Sequence, residues 1–238
     1  MRARTIFGMA ALAVALGWTG VASAGVTTGA ASHTAGRSLA SAPAVKPANT
    51  TDNACGYTAV KPADRFKGIP TFDAKKAAQP YLVRLVTTQG VITIRMLTDK
   101  APCTTNSFRF LAQRAYFDRT HCHRLTTDRI YVLQCGDPTG TGSGGPGYQF
   151  NDENLTGATY PAGTVAMANA GPDTNGSQFF FTWKDTTLSP AYTPFGQVIG
   201  GMDVLRRIAA AGDDEQNGPG DGYPARYTEI LQAHISAR

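Results

Sequence analysis

The residues best suited to chemistry fall in three stretches. His123-Arg124-Leu125 is followed by Tyr131-Val132-Leu133-Gln134-Cys135-Gly136-Asp137, and a glycine-rich loop runs from Gly140 to Gly147. The third stretch is Met167-Ala168-Asn169-Ala170-Gly171-Pro172-Asp173-Thr174-Asn175-Gly176-Ser177-Gln178-Phe179-Phe180. They offer a permanently charged donor in Arg124, amides in Gln134, Asn169 and Gln178, and apolar surface in Val132 and Phe180. Familiar site chemistries fail in context. No Ser sits in a G-x-S-x-G elbow, which excludes a serine hydrolase of that kind. The glycine loop lacks the Gly-Lys-Ser/Thr ending of a phosphate-binding loop and a helix after it. A calcium loop starting at Asp213 would have Glu215 at its third position and Pro224 where a bidentate Glu belongs. His121-Cys122-His123 points two imidazoles to one face of a strand, has no C-x-x-C partner and matches no zinc pattern. No metal and no cofactor is expected.

The elements that must position these residues are mostly strands. Tyr81–Thr87 and Val91–Leu97 are β-rich runs around Thr88-Gln89-Gly90, a hairpin signal. Phe108, Leu111, Ala112 and Ala115 recur at helical spacing, with Thr104 or Thr105 as the cap after Pro102. Short strands are predicted at Thr120–Thr126, Ile130–Cys135, Thr164–Ala168, Phe179–Thr182 and Phe195–Ile199. A second helix is predicted over Asp203–Ala211, ended by Gly212, and a last strand within Tyr227–Ile235. Many short strands with only two helices predict a closed or nearly closed β-barrel with helices over its ends.

Together the chemical stretches, with Phe150-x-Asp152-Glu153-Asn154, resemble the cyclophilin family of peptidyl-prolyl isomerases from about Tyr81 to Ile235. The run from Met167 to Phe180 carries most of that resemblance. It implies a mainly β fold, a closed eight-stranded antiparallel barrel capped by two α-helices, and a cofactor-free isomerase of X–Pro peptide bonds. By motif position it makes Arg124 the catalytic arginine and His123 its neighbour. Gln134, Tyr131 and Val132 line the site, with Tyr and Val where the family usually has Phe and Met. Ala168, Asn169 and Ala170 meet the substrate backbone; Gln178 is a polar anchor, and Phe180 and Leu188 form the proline pocket. Tyr192 stands where many members have His. The segment between Leu125 and Tyr131 is two residues longer than usual, and Thr187 replaces a tryptophan that helps hold cyclosporin, so weak cyclosporin binding is expected.

The reaction explains why these residue types fit. Amide resonance gives the X–Pro bond a barrier of about 18–20 kcal/mol, and uncatalysed turnover takes about 10–100 s. Twisting the bond leaves a lone pair on the prolyl nitrogen. A donor held there bonds the twisted state and not the planar one, and such differential binding accelerates a step. No nucleophile or proton transfer is needed. The competing reading is a non-catalytic module of this fold that grips proline-containing segments; a pure binder would not need Arg124. A third reading is a redox-responsive protein gated by Cys122 and Cys135.

The rest of the chain sets the context. Arg2 and Arg4, an apolar run from Ile6 to about Trp18, and Val21-Ala22-Ser23-Ala24 describe a secretory signal peptide over residues 1–24. Its apolar run is shorter than the roughly 20 residues of a spanning helix. Residues 25–54, rich in Ala, Ser, Thr and Pro, read as a flexible tether, because they hold too little apolar surface to offset ordering entropy. Residues 55–79 read as an extension packing on the domain through Tyr57, Phe66, Ile69 and Phe72, and 80–238 as the isomerase domain. Cys55, Cys103, Cys122 and Cys135 form an even set in a chain bound for an oxidising space, so two disulfides are expected in one of three pairings. The formal charge of +5 falls by two without Arg2 and Arg4, and no Lys/Arg cluster marks a nucleic-acid patch. The expected partners are proline-containing polypeptides, met by a secreted or envelope monomer with no lasting membrane insertion.

Overall fold

The computed structural model describes residues 54–237. The predicted signal peptide and residues 25–53 of the tether lie outside the described residues. Among the described residues, twelve strands and three helices follow in chain order. They are β1 (Thr58–Ala63), α1 (Ala74–Ala77), β2 (Tyr81–Thr87), β3 (Gly90–Met96), α2 (Pro102–Gln113), β4 (Thr120–His121), β5 (Arg124–Thr126) and β6 (Val132–Cys135). After these come β7 (Pro146–Gln149), β8 (Thr164–Met167), β9 (Phe179–Thr182), β10 (Pro194–Gly200), α3 (Met202–Ala210), β11 (Asp221–Gly222) and β12 (Glu229–Ala237).

Period-two patterning builds the sheet. In β2 the side chains of Tyr81, Val83, Leu85 and Thr87 are buried while those between them are not, so one face enters the core. Two residues, Thr88 and Gln89, turn β2 into β3. Both longer helices bury an apolar stripe: Phe108, Leu111 and Ala112 from α2, and Val204, Leu205, Ile208 and Ala209 from α3. At the centre, Phe108 stacks on Phe117 at 4.7 Å and meets Phe179 edge-on at 5.3 Å. Each such buried ring contributes about 1.5–3 kcal/mol by removal from water.

Ten strands form one curled antiparallel sheet in the order β11-β5-β6-β9-β8-β10-β3-β2-β12-β4, while β1 and β7 form a separate two-stranded ribbon. This corrects the expected closed eight-stranded barrel to an open half-barrel. The reason lies in residues 120–126, expected as one strand. Thr120 and His121 pair with β12, Arg124 and Leu125 pair with β6, and Cys122 and His123 belong to neither ladder. One continuous run therefore serves both ends of the strand order without the ends pairing to each other.

Four further expectations need correction. A third helix, α1, is present, capped by Asp73, which accepts from the backbone N–H groups of Lys75 and Lys76. Neither Thr104 nor Thr105 caps α2: the N-cap is Ala101, and the unpaired first-turn donors are taken by Glu153. Its Oε1 accepts from Cys103 N at 2.9 Å, and its Oε2 from Thr104 N and Oγ1, both at 2.8 Å. Ala115 lies beyond α2 with φ 52°. In the segment before β2, Tyr57 is buried and donates to Cys103 O at 2.6 Å, and Phe72 packs on the core, but Phe66 and Ile69 remain exposed.

The cysteines pair as Cys55–Cys103, which fastens the β1 ribbon to α2, and Cys122–Cys135, which bridges the starts and ends of the strands around β5 and β6.

Candidate active site

Register alone brings the site together. Arg124 stands opposite Gln134 across β5 and β6, Gln134 opposite Phe180 across β6 and β9, and Phe180 opposite Ala166 across β9 and β8. Directly opposed residues share a face of a sheet. Four strands thus present Arg124, Gln134, Phe180 and Ala166 as one row. Alternation sends their neighbours Leu125, Leu133, Phe179 and Phe181 to the other face, into the main core.

Beside this row lies a second apolar cluster separate from that core. Val132, Tyr160, Ala166 and Phe180 are buried in it, with Ala168, Leu188 and Tyr192 packed against it. Tyr192 meets the Phe180 ring edge-on at 5.7 Å. Tyr160 Oη is held by the Tyr192 backbone, donating to its carbonyl at 2.9 Å and accepting from its N–H at 3.1 Å. Tyr131 is not part of this cluster. It packs against Trp183 at 5.1 Å with the Lys184 ammonium 4.3 Å above its ring.

Arg124 is half-buried and held from one side. Its Nε donates to Asp221 Oδ1 at 2.8 Å and its Nη2 to Oδ2 at 2.6 Å. The Asp221 hydrogen bonds raise the Arg124 pKa further, while the same bonds hold the Asp221 carboxyl below the usual carboxylate range.

Polar groups on the other flank are tied to the glycine loop. Gln134 Nε2 donates to Gln178 Oε1 at 2.9 Å, and Gln178 Nε2 donates to the carbonyls of Gly142 and Gly144 at 2.9 and 3.0 Å. Asp137 shapes that loop from within, accepting from Thr139 N and Oγ1, Gly142 N and Gly144 N. Burial pushes the Asp137 carboxyl up, but these four bonds together outweigh it and hold the group below its ordinary range. Gly144 is required there, because a Cβ would lie 2.0 Å from Asp137 Oδ1. His123 is buried, its backbone N–H donating to Gln134 O at 3.0 Å. Neither imidazole nitrogen has a hydrogen-bond partner among the described residues, and burial pushes the group down, so it is neutral at pH 7.

A cavity of about 470 Å³ adjoins the site. Gln134, Ala168, Asn169, Ala170 and Gln178 line one side, and Val60, Lys61 and Pro62 of β1 line another. The backbone N–H and C=O of Asn169 carry no hydrogen bond among the described residues, whereas its side chain donates to Ala191 O at 2.8 Å. Those two peptide groups are available to an extended chain. The arrangement offers an apolar slot, a fixed cationic donor and free backbone groups, with no cluster of potential metal ligands among the described residues.

The structure therefore brings Arg124, Val132, Gln134, Ala168, Asn169, Ala170, Gln178, Phe180, Leu188 and Tyr192 around one surface, puts His123 beneath it and carries Tyr131 to one side. Sequence reasoning missed Asp221, Asn217 and Tyr160. A Tyr-Pro pair between turn residues was the only hint of Tyr160, and Asp221 reaches Arg124 across 97 residues.

Known proteins resemble this chain over most of the described residues. The family model for cyclophilin type peptidyl-prolyl cis-trans isomerase/CLD matches residues 82–234. A probable peptidyl-prolyl cis-trans isomerase B of Mycobacterium tuberculosis strain H37Rv is 44% identical over 209 residues, covering 79% of this chain and 65% of that protein. The chain thus spans less than two thirds of that relative, and 59% of the Mycobacterium leprae one. Human peptidyl-prolyl cis-trans isomerase-like 1 is 43% identical, covering 66% of this chain and 94% of its own length. A crystal structure of a Cryptosporidium parvum cyclophilin type peptidyl-prolyl cis-trans isomerase, in the presence of the dipeptide Ala-Pro, has a TM-score of 0.58 and 29% identity. The match covers 66% of this chain and 99% of that one.

Proposed function

Because this chain belongs to the cyclophilin-type peptidyl-prolyl cis-trans isomerase family, we propose that it accelerates rotation about X–Pro bonds in exported polypeptides. The observation that carries this reading is the row of Arg124, Gln134 and Phe180 beside a separate apolar cluster. The pyrrolidine ring enters the slot formed by Val132, Phe180 and Leu188. Asn169 pairs with the client backbone and, with Gln134, restrains one side of the bond while the other turns. Arg124 donates to the prolyl nitrogen as its lone pair appears, so the contact strengthens in the twisted state and lowers the barrier.

Two disulfides support work in an oxidising space outside the cytoplasm. No helix among the described residues is long and apolar enough to cross a membrane.

The test is the cis-to-trans rate of a short X–Pro peptide with catalytic amounts of the oxidised full chain, beside Arg124→Ala. A large acceleration that drops at least 10²-fold in the variant, the loss typical of one preorganised donor, is expected. Acceleration that survives the substitution would keep the activity and remove the arginine mechanism. No acceleration, with the peptide still bound, would leave a proline-binding module.

A further inference from the structure

We infer that Asp221 is a positioning residue for Arg124, and that the loop carrying it, with the turn after Leu125, is a built support for that one guanidinium. The inference rests on the reading of Arg124 as the donor to the prolyl nitrogen.

Arginine is a long side chain whose planar head makes directed bonds only when its rotamer is fixed. Asp221 fixes it by taking two parallel N–H groups along one edge, from Nε and Nη2. Nη1 carries no hydrogen bond among the described residues, and in a planar guanidinium it projects away from the edge that Asp221 occupies. The carboxylate therefore selects which donor is left for a client. Arg124 shares a sheet face with Gln134 and Phe180, and Phe180 belongs to the apolar cluster, so the head lies on the side of the slot.

Asp221 is itself held from several sides. Asn217 Nδ2 donates to its Oδ1 at 3.2 Å, and β11 pairs with β5 so that Asp221 lies opposite Thr126 and Gly222 opposite Leu125. The turn of Thr126 to Ile130 reaches the same loop. Thr127 N donates to Gly220 O at 2.8 Å, and Thr127 Oγ1 to Asp213 Oδ2 at 2.9 Å. Gly222 allows the loop to fold back, since a Cβ there would lie 2.2 Å from Asp214 Oδ1. Tyr223 Oη then donates to Gly140 O at 3.1 Å, joining this loop to the glycine loop on the far flank. Asn217 holds the Asp221 carboxylate directly, and the remaining bonds fix the loop that carries it, which is more than a surface salt bridge needs. They suit a donor that must be ordered before the client arrives.

The experiment compares the full chain with Asp221→Asn, Asp221→Glu and Arg124→Lys, and with the Asp221→Asn/Arg124→Lys double variant, on a short X–Pro peptide. Asp221→Asn keeps the side-chain size but accepts at only one oxygen. We expect kcat to fall about 10–100-fold, as misplacement of a catalytic group by about 1 Å does, with KM changed less than about threefold. Asp221→Glu should restore part of kcat, and Asp221→Asn should add little on top of Arg124→Lys. Nitrogen-15 NMR supplies a readout that folding alone would not move: a protected Arg124 Nε–H resonance in the parent, absent in Asp221→Asn while the remaining spectrum is retained. If the parent accelerates rotation and Asp221→Asn matches it, the inference fails and the isomerase reading stands. If Asp221→Asn is faster, Asp221 restrains Arg124 rather than presenting it, and the inference is overturned. If the parent does not accelerate rotation at all, the isomerase reading fails and takes the inference with it.

Discussion

Glu153 closes the start of α2 from 49 residues away, with Oε2 accepting from both Thr104 N and Thr104 Oγ1. Proline at the first helical position and alanine at the N-cap leave α2 without a local acceptor for its first donors. A distant carboxylate does that work and pins the helix to the segment leading from β7. Glu153→Ala strands two backbone N–H groups and one hydroxyl in a partly buried place. The expected cost is about 1–3 kcal/mol, or about 2–4 °C per kcal/mol for a protein of this size. Glu153→Gln, which keeps one acceptor, should lose less. Thermal unfolding of both variants checks the order; equal Tm values for Glu153→Ala and the parent would remove the capping role.

The two disulfides should separate stability from activity. Cys55–Cys103 spans 48 residues and Cys122–Cys135 spans 13, so the chain-entropy model assigns the first about 4 kcal/mol and the second about 3 kcal/mol. Only the second touches the site: Cys122 lies two residues before Arg124, and Cys135 directly follows Gln134. Replacing Cys55 and Cys103 with Ser should lower Tm more and leave kcat/KM of the folded fraction near the parent value. Replacing Cys122 and Cys135 should lower Tm less but reduce kcat/KM severalfold. The reverse pattern would show that β5 and β6 keep their register without the bridge.

Cyclosporin binding should be weak. Thr187 is exposed where the family resemblance leads one to expect a tryptophan. The neighbouring Trp183 cannot stand in, because its Nε1 already donates to Thr126 O at 3.0 Å and its ring packs against Tyr131. Calorimetry should give an affinity at least tenfold tighter for Thr187→Trp than for the parent. A parent complex as tight as the variant's would show that other contacts carry the ligand.

How much of this was legible in the sequence depended on whether neighbours or distant partners made each feature. Tyr81–Thr87 and Phe179–Thr182 appear as expected because a buried face imposes alternation or a short apolar run within one segment. Arg124, Gln134 and Phe180 were readable as types, and sheet register then aligned them. β1 was not readable: Thr58–Ala63 is mostly exposed, includes Lys61 and Pro62, and pairs only with a ribbon strand that itself begins at a proline. Asp221 was not readable, since nothing near it in sequence announces Arg124. Tyr131 follows from its spacing to Gln134 alone, and spacing does not show that its ring packs against Trp183.

His123 predicts a pH dependence of stability that belongs to the fold and not to the reaction. Burial beneath the glycine loop disfavours its protonated form, and its ring nitrogens have no hydrogen-bond partner among the described residues. Desolvation lowers its pKa and wins, with His121 and Arg124 acting the same way and the Asp137 carboxylate opposing them. The folded-state pKa is thus below that of the unfolded chain, about 6.5. Below that value the unfolded state binds the extra proton, so stability is complete above about pH 6.5 and declines as pH falls toward the folded-state value. Tm should therefore drop between pH 7 and pH 5, and His123→Phe, which cannot protonate, should flatten that part of the curve. Below about pH 4, near the ordinary carboxylate range, both proteins should lose stability together as Asp137 and Asp221, whose pKa values the fold depresses, take up protons. A parent Tm that is level from pH 7 to pH 5 would mean that the buried imidazole accepts its proton without cost.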